Sequence, residues 1–169
     1  PPNQILVGLS LFLSLFIMGP VINEINENAY IPYKEQAITQ EVALDRAQIP
    51  IKEFMLKQVD NESLKLFISI SKQDIVIDQN SEVNEQMMDL DLSILVPAFV
   101  TSELKRAFLI GFLIYIPFLA IDLIVASTLM SMGMVMLPPG MISLPFKIMI
   151  FILADGWGLL MSSLVQGFH

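Results

Sequence analysis

The chain has 169 residues, of which 54% are hydrophobic and 15% charged, whereas roughly 25% of residues are charged in typical soluble domains. This composition favours a membrane-associated class of protein over a freely soluble one. The formal net charge of −8 argues against nucleic acid or anionic lipid as the partner of the acidic part, because both require clustered Lys and Arg. Cysteine is absent, which excludes disulfides and thiolate chemistry.

Charge is concentrated in the middle of the chain. Residues 1–22 carry none, residues 23–93 carry fourteen acids and six bases, and residues 94–169 carry three of each. This pattern predicts three parts: an apolar helix, a polar and mainly helical segment, and an apolar helical hairpin. The predicted fold class is therefore all-α.

The first predicted element is the uncharged run of 18 residues Ile5–Ile22, which is just long enough for a spanning helix. Gly19 and Pro20 are expected to disturb its end, because proline removes a backbone donor. The next pattern runs from Thr39 to Val59 and indicates two short helices, with Pro50 in the first turn of the second.

A further helix is predicted in the polar segment. Asp60, Asn61 or Ser63 could cap its start, and Leu64, Phe67 and Ile68 would form its buried stripe. The acid-rich stretch that follows, Gln73–Leu92, has little helical period and is predicted to be an exposed loop.

The longest apolar run, Ala107–Leu137, has 31 residues and one charge, Asp122. A straight helix of this length would measure about 46 Å, longer than a hydrocarbon core of about 30 Å. Pro117 is predicted to kink it and act as a hinge. Pro138, Pro139 and Gly140 end the run, and Pro145 is predicted to start a second, antiparallel apolar helix.

Methionines occupy alternate positions at the predicted hairpin tip: Met130, Met132, Met134 and Met136. Alternate residues share a face only in an extended segment, so the spacing predicts a non-helical strand of thioethers. Three interpretations stay open. The side chains could fill gaps in a core, ligate Cu(I) through their thioethers, or form a compliant seal around a moving polypeptide.

The polar residues of the apolar half are the other candidates for function. Asp122, Lys147 and Asp155 should face protein or water, because a charge facing lipid costs at least roughly 2.5–3.5 kcal/mol. With helix ends predicted near Met130 and Leu144, Asp122 shares a level with neither of the others, and a partner on another subunit is equally open. Buried structural ion pairs and a direct role in substrate passage are the two alternatives.

No catalytic set can be assembled from the sequence. The one histidine is His169, and neither a Gly-rich phosphate loop nor a Ser/His/Asp arrangement is present. The protein is therefore not expected to be an enzyme, nor to carry a cofactor.

The two apolar ends carry a family resemblance. The stretches PPNQILVGLSLFLSLFIMGPVI (1–22) and PAFVTSELKRAFLIGFLIYIPFLAIDLIVASTLMSMGMVMLPPGMISLPFKIMIFILADGW (97–157) resemble the FliP family of flagellar export-gate proteins, which has relatives in virulence type III secretion. The flagellar branch is the closer fit. The resemblance also predicts a fragment that lacks the family's N-terminal signal peptide and first hydrophobic segment.

The resemblance implies a function in protein export. Family members form a helical, ring-like homo-oligomer, suggested to be pentameric, with FliQ and FliR, alongside FlhB and FlhA. Unfolded flagellar proteins pass through its centre. The expected location is the bacterial inner membrane and its periplasmic side, in the flagellar basal body, in contact with membrane lipid and not with nucleic acid. The polar part, residues 23–93, would be extracytoplasmic.

The resemblance also assigns roles to residues. Met134, Val135 and Met136 match a methionine-rich gasket that closes the pore, with Val135 departing from the usual methionine, and Met130 and Met132 could line the pore or pack. Glu103, Asp122 and Lys147 match charged positions that link subunits. The alternatives are a virulence-type gate subunit, a small-solute or Cu(I) transporter, and a structural membrane scaffold.

Overall fold

The computed structural model describes residues 2–71 and 88–168, and within these ranges it contains helices and turns but no strand. The all-α prediction is confirmed. The chain divides into two compact units, residues 1–104 and residues 105–169. Each unit is described below by itself.

The first unit begins with a broken apolar helix. Helix α1 covers Asn3–Ile17 and helix α2 covers Gly19–Ile25. A π-helical turn, Asn26–Tyr30, then leads into the short helix α3, Ile31–Lys34. The axis bends by 55° between Asn3–Ile17 and Gly19–Lys34. The predicted disturbance at this position is therefore confirmed. Pro20 lies in the first turn of α2, where its missing N–H removes no helical hydrogen bond.

Helix α4, Gln40–Gln58, shows where one prediction was wrong. Thr39 caps it by accepting a hydrogen bond from the Val42 N–H at 3.4 Å. The helix runs through Pro50 without ending, so the predicted second helix does not exist. Pro50 is buried, as are Met55 and Leu56 one to two turns later. We attribute the continuation to this burial, which offsets the backbone hydrogen bond that proline removes.

Helix α5, Asn61–Ser71, begins at the predicted cap. The Asp60 carboxylate accepts hydrogen bonds from the Ser63 N–H at 2.7 Å and from the Ser63 hydroxyl at 2.8 Å. The Asp60 N–H donates to the hydroxyl of Ser102 at 2.9 Å. Leu64 and Ile68 are buried and Phe67 is half-buried, so the predicted stripe is confirmed.

The hydrophobic core of the first unit lies under the polar part of the sequence. Eight buried residues form it: Met55, Leu56, Leu64, Ile68, Leu90, Ile94, Leu95 and Ala98. Phe54 and Phe99 pack edge to face beside it, with ring centroids 6.0 Å apart. Most of the loop predicted at Gln73–Leu92 lies outside the described residues. Leu90, at its end, is fully buried, so the prediction of exposure is wrong there because Leu90 packs into the core.

Helix α6 is the longest element, with 40 residues from Leu92 to Ser131. It begins fifteen residues before the apolar run from which a helix was predicted, because Leu92–Leu104 supplies core residues to the first unit. Its length and apolar composition suffice to cross a membrane. The bent pair of Asn3–Ile17 with Gly19–Lys34 also meets this criterion if it counts as one span.

The second unit is completed by helix α7, Pro139–Leu153, and helix α8, Gly156–Gln166. These two helices bend by 60° relative to each other and together could also form one span. Pro145 lies inside α7, so the prediction that it starts the helix is wrong. Pro139 occupies the first turn instead, where its fixed φ angle suits a helix start.

Candidate functional site

The candidate site is the tip of the hairpin, residues 132–138, between α6 and α7. These residues are non-helical, as predicted, but they form turns and not one extended strand. Gly133 has a φ of +76°, and the Met134 N–H donates to the Leu129 carbonyl at 3.0 Å, which closes the end of α6. Met130 lies within α6, so the four alternate methionines do not share one extended backbone.

Side chains at the tip are apolar and exposed. Met136 is 97% exposed, Val135 80% and Met134 43%, while Met130 and Met132 are also largely exposed. Leu129, near the end of α6, is buried. The tip therefore presents flexible apolar groups to whatever lies outside the chain, and such patches mark interaction surfaces.

A charge pair joins the two helices below the tip. One Asp122 carboxylate oxygen accepts a hydrogen bond from the Lys147 ammonium at 2.6 Å, and the other accepts one from the Ser143 hydroxyl at 2.5 Å. The side chains of Lys147 and Asp122 are 24% and 32% exposed, and Ser143 is fully buried. Both ions thus have a partner inside the chain, and the choice between a structural pair and a role in substrate passage stays a prediction.

Sequence reasoning missed this pairing because it placed the start of the second helix too late. With α7 beginning at Pro139, Asp122 and Lys147 each lie roughly two turns from the tip, on opposite arms of the hairpin. Ser143 was not singled out either. Its spacing of four residues from Lys147 was the available signal, because residues four apart share a helix face.

Asp155 lies at the break between α7 and α8, away from the Asp122–Lys147 pair. It adopts the left-handed conformation, with φ of +49°, and caps α8 by accepting a hydrogen bond from the Gly158 N–H at 3.4 Å. The break between α7 and α8 therefore depends on Asp155, since Asp is one of the few residues that tolerate this backbone conformation. It is exposed.

The remaining predicted site residues lie elsewhere along α6. Glu103 is half-buried at the end of the first unit, next to Ser102, whose hydroxyl bonds to Asp60. Helix α6 is continuous through Pro117, and the assignment of a hinge to this residue stays a prediction. Within residues 2–71 and 88–168, no group of three or more His, Cys, Asp or Glu side chains is placed to hold a metal ion.

The described residues form helices and turns without a strand, and they include a span-capable helix and an apolar hairpin. These features define the class of helical, membrane-associated proteins. Comparison with known proteins narrows this class to one family. Residues 1–164 match the FliP family, and the chain belongs to it.

Three similar proteins, each described as flagellar biosynthetic protein FliP, illustrate the match. The chain is 50% identical over its whole length to the protein of Pectobacterium carotovorum, covering 62% of that protein. It is 52% identical over 99% of its length to that of Bacillus subtilis, covering 72% of it. It is 48% identical to that of Buchnera aphidicola from Acyrthosiphon pisum, again over its whole length, but covers only 42% of that protein. The chain thus spans only part of these relatives.

Proposed function

We propose that the chain is a subunit of the flagellar type III protein-export gate. Together with FliQ and FliR it forms the channel through which unfolded flagellar proteins pass, and Met134, Val135 and Met136 close that channel at rest. The observation that carries the proposal is membership of the FliP family over residues 1–164, with relatives named for flagellar biosynthesis. The protein makes and breaks no covalent bonds in this role.

The exposed apolar surface of the second unit supports an assembled state. Among residues 105–168, only Leu129 and Ser143 are buried, although the segment is mostly apolar. Such a surface needs cover from lipid or protein. In the proposed assembly further copies of the chain, pentameric by family resemblance, cover it together with FliQ, FliR, FlhB and FlhA. The complex belongs to the inner membrane and its periplasmic side, in the basal body.

The chemistry of the tip supports a seal. Methionine is unbranched, so Met134 and Met136 can repack around different side chains as a polypeptide moves past. Val135 is stiff at χ1 and 80% exposed, which makes it the less adaptable member of the three. An apolar ring of this kind opposes the passage of hydrated ions, because they would lose water contacts without gaining polar partners.

The charged residues below the tip hold its position. The Asp122–Lys147 contact ties α6 to α7 below the tip. Separating the two helices there would break a charge-assisted hydrogen bond. We assign Glu103 and Lys147 a further role as contacts between subunits. The two roles of Lys147 are compatible, since an ammonium group has three donors.

The seal is tested by replacing Met134 and Met136 with Ala in the complete protein. Loss of side-chain volume should open a gap, so ion leak through the resting gate should rise severalfold in living cells. Met141→Ala is the matched control, because Met141 is 74% exposed but lies on α7 outside the tip. Unchanged leak in a double variant that still copurifies with FliQ and FliR would contradict the seal.

A second pair of substitutions separates the seal from a Cu(I) site. Met134→Leu with Met136→Leu keeps apolar bulk and removes both thioethers, so a seal should hold whereas thioether ligation of Cu(I) is lost. Retained low leak and retained motility are expected. Loss of Cu(I)-dependent growth with an intact ion barrier would instead support the transporter.

A further inference from the structure

The second unit contains an apolar cleft that the proposed gate does not use. It lies between α6, α7 and α8 and has a volume of about 320 Å³. Helix α6 lines it with one face from Ile110 to Phe118, and the only polar residue among those lining it is Ser163 of α8. Its volume falls within the range of about 300–1,000 Å³ that is typical of ligand sites.

Local sequence features build the cleft. Asp155 turns the chain through its left-handed conformation and caps α8, which creates the bend. A Cβ atom at Gly156 would overlap the ring of Phe151, so glycine is needed for this close approach. The Phe151 ring in turn packs edge to face on Trp157, with centroids 5.5 Å apart, and lies 6.3 Å from the ring of Phe118. The cleft wall is therefore held by packing.

A positive charge lies next to one end of the cleft. Arg106 donates a hydrogen bond from its guanidinium to the carbonyl of Gly167 at 3.2 Å. Arg106 lies one helical turn before Ile110 on α6, and Gly167 lies one turn after Ser163 of α8. The contact therefore lies on the same faces of the two helices as these two cleft residues. The planar donor fork of Arg matches the geometry of a phosphate.

We propose that this cleft binds one acyl chain of an anionic phospholipid, with the lipid phosphate at Arg106. An apolar slot that ends at a guanidinium is complementary to a molecule with a hydrocarbon tail and a negative head group.

The charge balance of the second unit agrees with an anionic ligand. Residues 105–168 carry three bases and two acids, in contrast to the acidic middle of the chain. One of the acids, Asp122, is bonded to Lys147 near the tip. Lys105 and Arg106 therefore supply the cationic end of the hairpin, away from that pair.

Trp157, the only tryptophan in the chain, provides the measurement. It packs on Phe151, which lines the cleft, so a bromine atom on a bound acyl chain should quench its fluorescence. The full chain in detergent is titrated with brominated phosphatidylglycerol and, separately, with brominated phosphatidylcholine. Quenching should saturate with both lipids, at about fivefold lower concentration for the anionic one, the factor expected from one basic residue near a phosphate.

Two sets of variants test the site. Arg106→Gln should abolish the preference for the anionic lipid, and Arg106→Lys should keep most of it, which separates charge from folding. Leu113→Phe should weaken saturable quenching at least threefold, because Leu113 lines the cleft. Leu109→Phe is the matched control: Leu109 is 59% exposed, close to the 57% of Leu113, and does not line the cleft, so quenching should not change.

Other outcomes would overturn the proposal. Quenching that never saturates, or that is equal for both lipids and for all variants, would mean that Trp157 only touches bulk lipid. Loss of saturable quenching when FliQ and FliR are bound, with no lipid retained in the complex, would assign the cleft to a protein partner.

Discussion

The two compact units of the chain differ in a way that their composition does not suggest. The first contains nearly all of the acidic residues and yet has a packed core of eight buried side chains, including Leu64 and Leu95. The second is strongly apolar and yet buries only Leu129 and Ser143 among residues 105–168. An apolar composition therefore does not show that the apolar side chains are buried within the chain itself.

The sharpest test of this difference is a truncation in the core of the first unit. Leu64 is 2% exposed, so Leu64→Ala should lower the free energy of unfolding of the protein by about 2–5 kcal/mol, because the substitution leaves a cavity. Leu66→Ala on the same helix is the control, because Leu66 is 51% exposed, and it should change stability by less than about 0.5 kcal/mol. Denaturant unfolding followed by helical circular dichroism compares them. Equal effects would mean that the core is not where the structure places it.

A smaller effect is expected from the charge pair of the second unit. Asp122→Asn should lower the free energy of unfolding, but by less than the loss of a fully buried pair would, because both partners are partly exposed. A double-mutant cycle with Lys147→Gln measures the coupling in the unfolding free energy. Additive effects would show that the contact contributes nothing to the stability of the hairpin. Ser143→Ala should lower stability by about 1 kcal/mol through the same carboxylate.

The smallest effect on stability is expected at the tip. Met136 is 97% exposed and contributes almost no buried area, so Met136→Ala should shift the unfolding free energy by less than about 0.5 kcal/mol. Thermal unfolding of the purified chain measures this shift. A loss above about 1 kcal/mol would show that Met136 packs against the chain, which would weaken the argument that it faces a passage.

Sequence patterns predicted the parts of the fold that depend on local chemistry. The cap at Asp60 and the bend at Gly19 and Pro20 follow from backbone hydrogen bonding, so they were readable in advance. Pro50 and Pro145 were misread as helix starts, because proline penalises a helix interior by about 3 kcal/mol without excluding it. Burial offsets this penalty at Pro50, whereas Pro145 is exposed. Burial of Leu90 depends on distant partners that no local window contains.

The candidate site was predictable in its residues but not in their arrangement. The apolar tip and the three charged residues Asp122, Lys147 and Asp155 stand out from the sequence, whereas the partner of Asp122 depends on the residue at which α7 begins. An error of five residues in that start moves Lys147 by more than one turn, which is enough to hide the pair. The alternate methionines were misleading at Met130, because a long helix continued one residue beyond it.

Ser143 and Lys147 both donate hydrogen bonds to Asp122, and this limits how α6 and α7 can move relative to each other. If α7 slid along α6 by one turn, about 5.4 Å, in either direction, Asp122 would lose at least one of its two hydrogen bonds. A tilt of the hairpin as a rigid arm keeps both bonds, so any opening of the proposed gate should originate at the base of the hairpin.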